Sequence, residues 1–234
     1  MNISICGAGT MGRGIAIAWL QAGHAVVLFD LNEEATKKAH EYISSQLLKA
    51  VEKNKMTKED ADSCMNRLLA TTSISDAAGG EFIIEAIIEK PEIKNQLFTS
   101  LENAGLAENA ILATNTSSLS VNLLGSTLRK PENFVGLHFF NPANLMKLVE
   151  IVSSRQTSDE TLERSVAFIK GLSKTAVIAK DVPGFIVNRV ARNYYNEAMK
   201  IATEHAAEPE QIDRIMKSLG FKMGPFELMD LIGN

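Results

Sequence analysis

Six residues, Gly7-Ala8-Gly9-Thr10-Met11-Gly12, constrain this chain more than any others. They follow an apolar run, Asn2–Cys6, open an amphipathic stretch, Gly12–Ala22, and precede a second apolar run, Ala25–Asp30, that ends in a carboxylate. A GxGxxG string arises often by chance, but set between strand and helix, with an acid closing the next strand, it favours a nucleotide-binding turn over the plainer reading of a glycine-rich turn and a helix-capping aspartate without a ligand. Gly7 permits the tight turn, Gly9 lets a pyrophosphate come against the backbone, and Gly12 lets helix and strand pack closely. Thr10 and Met11 lie where a helix begins, and unpaired N–H groups with partial positive charge suit phosphate there. Asp30 stands where a carboxylate accepts both hydroxyls of an adenosine ribose. A 2′-phosphate would meet that charge, and Leu31 and Asn32 supply no arginine, so NAD is favoured over NADP.

The alternation continues. Leu68–Thr72, Phe82–Ala86, Ile111–Asn115 and Phe134–Phe140 read as buried strands, and Glu33–Lys55, Pro91–Gly105 and Leu119–Gly125 as helices. Strands alternating with helices imply βαβ units and a mainly parallel sheet. Glu33–Lys55 exceeds an ordinary crossover helix and is expected to project as a helical hairpin with Thr57–Arg67. Lys147–Val152 and Thr175–Lys180 add two strands around a helix at Ser158–Leu172. Asp181-Val182-Pro183-Gly184 is a turn signal and the expected domain boundary. Beyond it Val187, Val190, Ala191, Tyr194, Ala198 and Ile201 recur at helical spacing, and Pro209–Leu219 carries Ile212, Ile215, Met216 and Leu219 on one face. The expected fold is therefore α/β: a Rossmann-type, mainly parallel sheet over residues 1–182, then a smaller all-helical domain over 183–234.

Composition narrows the function classes. With 234 residues, 45% hydrophobic and 22% charged, the chain has ample apolar surface for a core. A net charge of -4 argues against a nucleic-acid partner. Cys6 and Cys64 have no metal-ligand spacing, no metal site is expected, and a reducing, cytoplasmic setting fits them. The first strand starts at once, leaving no room for a targeting segment, and no apolar run suggests a membrane span.

Oxidising a carbinol requires a base for the hydroxyl proton and donors to hold the oxygen. His138, in Gly136-Leu137-His138-Phe139-Phe140-Asn141-Pro142, titrates near neutrality and suits that role. Hairpin-like pairing with Leu148-Val149-Glu150-Ile151-Val152 would bring Glu150 to the imidazole nitrogen away from substrate, orienting the ring. Read singly, each has a plainer explanation. A strand-end histidine often satisfies local hydrogen bonds, and a glutamate can face solvent from an edge strand.

Asn115-Thr116-Ser117-Ser118-Leu119, the His138 segment, Met146-Lys147-Leu148-Val149-Glu150, Pro183-Gly184-Phe185-Ile186-Val187-Asn188-Arg189 and Met223-Gly224-Pro225-Phe226-Glu227-Leu228 together resemble the 3-hydroxyacyl-CoA dehydrogenases. The likeness runs in order along essentially the whole chain and is greatest to the short monofunctional bacterial 3-hydroxybutyryl-CoA dehydrogenases. It implies His138 as general base with Glu150 as its partner, and Ser117 and Asn188 hydrogen-bonding the reacting oxygen. It implies Glu89, Lys94 and Asn141 on the ribose and nicotinamide side of NAD. The Lys49–Lys55 stretch resembles the region that meets the CoA phosphates, with Lys53 the expected contact, although a solvated helix explains the same lysines. Plainer readings also stand beside the others: Ser117 or Asn188 as a helix cap, Lys94 as a solvated lysine, and His24, His40 and His205 as surface residues.

The resemblance further implies an acyl-CoA substrate, preferably short-chain, and a homodimer formed through a complete C-terminal domain. Family members run some tens of residues further, so the helical domain is expected to be incomplete here. Ile212, Leu219, Phe226, Leu228, Leu231 and Ile232 are then expected to lie uncovered. Two other readings remain open: a dehydrogenase of a free hydroxy acid or sugar acid, and a catalytically silent structural relative.

Overall fold

The computed structural model describes residues 1–232 and divides into two compact units, Met1–Pro183 and Gly184–Asn234. The first is built on an eight-stranded sheet. Its strands are β1 (Asn2–Cys6), β2 (Ala25–Phe29), β3 (Leu68–Thr71), β4 (Phe82–Glu85), β5 (Ile111–Thr114), β6 (Phe134–Phe139), β7 (Leu148–Ser153) and β8 (Thr175–Lys180). They lie in the order β3-β2-β1-β4-β5-β6-β7-β8. Neighbouring strands run parallel except β6 and β7, which are antiparallel. Because β1 pairs with both β2 and β4, the direction of winding reverses at β1, and the crevice beyond its carboxyl end is where such sheets take ligands.

The connecting helices are α1 (Thr10–Gln21), α2 (Glu33–Glu52), α3 (Lys58–Asn66), α4 (Ile74–Ala78), α5 (Pro91–Ala104), α6 (Val121–Gly125) and α7 (Asp159–Gly171). Their limits follow local chemistry. Asn32 caps α2 by accepting from the Glu34 and Ala35 N–H groups, Pro91 sits at the first turn of α5, and Gly105 closes α5 in the left-handed region. Of the strands read as buried from sequence, β4, β5 and β6 have no exposed residue, whereas β3 does not fit that reading: it lies at the edge of the sheet and Leu69 is exposed. Trp19 of α1 stacks on Phe168 of α7, and Phe168 on Phe82 of β4, with ring centroids 3.8 and 3.7 Å apart. That stack ties the two helices to one another and to the sheet.

Three local expectations change. The pair α2 and α3 does form, but it is packed rather than free-standing: Ala39, Ile43, Leu47, Ala61 and Cys64 all belong to the main core. Helix α1 starts at Thr10, earlier than the periodicity indicates, with Gly9 as its cap. Helix α4 is too short for periodicity to reveal and is set by Ser73, whose hydroxyl accepts from the Asp76 N–H.

The second unit holds α8 (Val187–Thr203), α9 (Pro209–Ser218) and α10 (Pro225–Ile232). Helix α10 lies where the sequence reading placed none. Buried Asp213 of α9 sets its start by accepting from the Phe226 and Glu227 N–H groups at 2.9 and 3.0 Å. Tyr194 of α8 stacks on Phe221 and donates its hydroxyl to the Met223 carbonyl. Of the residues expected to be uncovered, Ile212 is buried, Phe226 and Leu228 are partly buried, and Leu219, Leu231 and Ile232 are exposed. Among the described residues no helix is long and apolar enough to cross a membrane.

Candidate active site

Most of the residues singled out in the first unit gather at the carboxyl edge of the sheet. Gly7 follows β1, Asp30 follows β2, Glu89 follows β4, Ser117 follows β5, and His138 lies near the end of β6. Strand β7 runs the opposite way, so Glu150, near its start, returns to the same edge.

The glycine turn is shaped as the motif demands. Gly7 has φ +117, a backbone region that disfavours side chains, and a Cβ there would lie 2.5 Å from the Ala86 carbonyl oxygen. A Cβ on Gly12 would be driven into the Gly7 carbonyl. Gly9 differs: nothing lies within 4 Å of the Cβ position, so its surroundings are open. No side chain caps α1, and its leading N–H groups suit an anion. Asp30 closes onto this turn. Its Oδ2 accepts from the Ala8 N–H at 2.9 Å and its Oδ1 from the Asn32 N–H at 3.0 Å. An open glycine, an uncapped helix and an oriented carboxylate fit a dinucleotide.

Next to this turn lies a polar cluster within the apolar sheet. Glu85, at the end of β4, is fully buried. Its Oε1 accepts from Lys94 Nζ at 2.5 Å and from the Ile87 N–H at 2.8 Å, and its Oε2 from the Thr114 hydroxyl at 2.6 Å. Lys94 is 1% exposed, which removes the solvated reading, and its ammonium also meets Glu89 Oε2 at 3.1 Å. Glu89 Oε1 in turn accepts from the Thr116 hydroxyl and from the Ser117 N–H at 2.9 Å. Burial raises the Glu85 carboxyl above its ordinary range, with the Lys94 ammonium pulling the other way. For Glu89, burial also pushes upward, but the Thr116 hydroxyl, Lys94 and the Ser117 N–H together hold it below its ordinary value.

His138 and Glu150 sit directly opposite one another in the β6–β7 ladder. His138 Nδ1 lies 2.7 Å from Glu150 Oε2, with His138 6% and Glu150 0% exposed. The edge-strand reading of Glu150 does not hold, because β8 covers the far side of β7. A carboxylate can only accept, so Nδ1 carries the hydrogen and Nε2 is the basic nitrogen. Such a ring can take a proton from a hydroxyl while Glu150 stabilises the resulting imidazolium.

The remaining positions separate. Ser117 is not a helix cap, since Ser120 caps α6 by accepting from the Leu123 N–H. Asn141 lies exposed in the loop between β6 and β7. Asn188 is in the first turn of α8, in the second unit. Lys53 is exposed at the C-cap of α2, and among the described residues no ion pair holds its ammonium. His40 and His205 are exposed, whereas His24 is partly buried against Trp19. Sequence reasoning missed Glu85. The available signal was a carboxylate ending the apolar run Phe82-Ile83-Ile84, a place where an acid without a partner is costly.

Comparison with known proteins identifies the family. Residues 2–182 match the family described as 3-hydroxyacyl-CoA dehydrogenase, NAD binding domain, and residues 184–234 match its C-terminal domain. The chain is 41% identical over 233 residues to a 3-hydroxyadipyl-CoA dehydrogenase of Escherichia coli K12, covering 99% of this chain and 49% of that protein. It is 36% identical to a fatty acid oxidation complex subunit alpha of Pseudomonas putida, covering 98% of this chain and 32% of that one. This chain thus spans half or less of the length of these curated relatives. The crystal structure of an (S)-3-hydroxybutyryl-CoA dehydrogenase from Ralstonia eutropha superposes with a TM-score of 0.95 at 37% identity, covering 99% of this chain and 82% of that one. With family models matched in order along both units, the chain belongs to the 3-hydroxyacyl-CoA dehydrogenase family.

Proposed function

We propose that this protein catalyses the reversible oxidation of a (3S)-3-hydroxyacyl-CoA to the 3-oxoacyl-CoA, with NAD as cofactor. The observation that carries this reading is the buried His138–Glu150 pair, 2.7 Å apart, on the ligand-binding edge of an NAD-binding sheet. His138 Nε2 takes the hydroxyl proton of the substrate, and Glu150 holds the ring in the tautomer that can do so. Ser117 and Asn188 hold the reacting oxygen. Gly7, Gly9, Thr10, Met11, Gly12 and Asp30 hold the adenosine and diphosphate portions of NAD, and Glu89, Lys94 and Asn141 the ribose and nicotinamide portion. NAD held by these residues would supply the hydride acceptor for the oxidation, and NADH the hydride donor for the reverse reduction.

The substrate is assigned as a short-chain hydroxyacyl-CoA, hydroxybutyryl-CoA being preferred, because the relative from Ralstonia eutropha is named for that compound. The relative from Escherichia coli, named for 3-hydroxyadipyl-CoA, supports a CoA thioester and makes a dicarboxylic acyl chain the competing choice. Lys53 is the proposed contact for the CoA phosphates. The protein is further proposed to work as a cytoplasmic homodimer in fatty acid or butanoate metabolism; the relative named as a fatty acid oxidation subunit supports the metabolic part of that assignment.

The deciding experiment mixes the full-length protein with NADH and acetoacetyl-CoA and follows the nicotinamide absorbance. The expected result is loss of absorbance with the thioester and none with free acetoacetate. Turnover of free keto acids alone would overturn the substrate assignment. Inertness towards both, with NADH still bound, would assign the protein as a silent relative.

A further inference from the structure

Glu85 has no part in the reaction scheme above, yet it anchors a continuous chain of bonds from the centre of the sheet to Ser117. Its two oxygens take three donors from three separate segments: Lys94 of α5, Thr114 of β5 and the Ile87 N–H beyond β4. Lys94 carries the connection to Glu89. Glu89 Oε1 then collects the Thr116 hydroxyl, the Ser117 N–H at 2.9 Å and the Ser118 hydroxyl at 3.3 Å. A buried ion pair of this kind contributes little net stability, because the loss of hydration offsets the attraction, and apolar residues of equal size often serve as well. What the pair does supply is direction. A lysine ammonium on a four-carbon stem is a mobile point charge, and here both of its carboxylate partners are fixed in place.

We propose that Glu85 is a positioning residue for the cofactor-side loop: through Lys94 it orients Glu89 and thereby holds the turn of residues 116–118, with Ser117, in its working conformation. The inference rests on the NAD-dependent reading for the use of this loop. The bond chain itself lies entirely within the first unit. Thr114 is part of the same device, since its hydroxyl fixes the second oxygen of Glu85. Thr116 serves twice: it donates to Glu89, and its Oγ1 accepts from the Leu119 N–H at 2.9 Å, so the orientation of the carboxylate is passed on to the backbone.

Two variants of the full-length protein test this, Glu85→Gln and Thr114→Val, each measured by urea unfolding, amide hydrogen exchange without cofactor, and NADH fluorescence titration. In folded Glu85→Gln, exchange at the Ser117 amide is expected to rise about ten-fold while the β4 and β5 amides keep their protection, and NADH Kd to rise about ten-fold. Thr114→Val is expected to move both quantities the same way by about three-fold. An unchanged Ser117 amide, an unchanged NADH Kd, or a uniform rise in exchange across β4 and β5 overturns the proposal, the last because it marks a merely structural role. If Glu85→Gln does not fold, Thr114→Val decides by the same readings. Failure of the wild-type protein to bind NADH would count against the proposed function, while the Ser117 exchange rate still judges the bond chain.

Discussion

His138 and Glu150 are cross-strand partners, paired residue to residue where the sheet turns from parallel to antiparallel, with Nδ1 and Oε2 2.7 Å apart. Both side chains therefore leave the sheet on the same face, and neither relies on a loop for its placement. Glu150→Gln keeps the shape and removes the charge that, in the proposed mechanism, steadies an imidazolium. The expected outcome is a fall in kcat of about 10²- to 10⁴-fold, with NADH affinity and the far-ultraviolet dichroism unchanged. Steady-state reduction of acetoacetyl-CoA measures it, and a loss below ten-fold would remove Glu150 from the base.

Gly9 and Gly12 separate ligand binding from folding. A methyl group on Gly9 meets no atom within 4 Å, so Gly9→Ala is expected to change stability by no more than about 1 kcal/mol, as a helix-cap substitution does. On the proposed function its NADH affinity should nonetheless drop at least about ten-fold, because the methyl group would enter the space assigned to the diphosphate. Gly12→Ala drives a methyl group into the Gly7 carbonyl. It should cost about 1–3 kcal/mol or more and lower Tm as well as affinity. Thermal melts paired with NADH titrations check both.

Glu89 sets a pH dependence whose sign is fixed by its environment. Its folded carboxyl lies below the ordinary 4.5. The stability it contributes is therefore fully present above that value and is lost as pH falls through the lower, folded one. Glu85 acts in the opposite sense. Its raised carboxyl takes up a proton more readily in the folded state, a contribution present at low pH and lost as pH rises through the folded value. Comparing wild type with Glu89→Gln in urea isolates the first effect. The stability gap between them should narrow as the solution is acidified below pH 4.5, and a gap that widens there would contradict it.

Lys174 holds the loop between β6 and β7 from beneath, donating to the Ala143 and Met146 carbonyls at 2.8 and 2.6 Å. Lys174→Met leaves both oxygens without that donor and is expected to cost about 1–3 kcal/mol. Hydrogen exchange should quicken at Leu145 and Met146, whose N–H groups close onto the Pro142 carbonyl, while the β6–β7 ladder stays protected. Equal exchange in both proteins would show that the loop stands without Lys174.

Much of this architecture is legible in the sequence because each element carries its own signal. Asn2–Cys6 and Thr175–Lys180 are apolar or alternating runs that become strands over those same residues, and the glycine string marks the one turn at which the sheet reverses. What escapes is what depends on distant partners or on few residues. Glu85 looks like the polar end of a strand until Lys94 and Thr114 are seen to close on it. Ser120 and not Ser117 caps α6, a difference of three residues that composition does not register. Helix α10 needs Asp213, thirteen residues upstream of Phe226, to satisfy its first N–H groups, and no local pattern announces that bond.

Because β6 and β7 are matched residue against residue, the imidazole-to-carboxylate spacing is stored in strand register and not in the length of the intervening segment. Insertions or deletions between Asn141 and Lys147 leave that spacing untouched, whereas a single-residue slip within either strand would turn one of the two groups to the opposite face. The length of that segment and the spacing of the pair are thus set independently of one another.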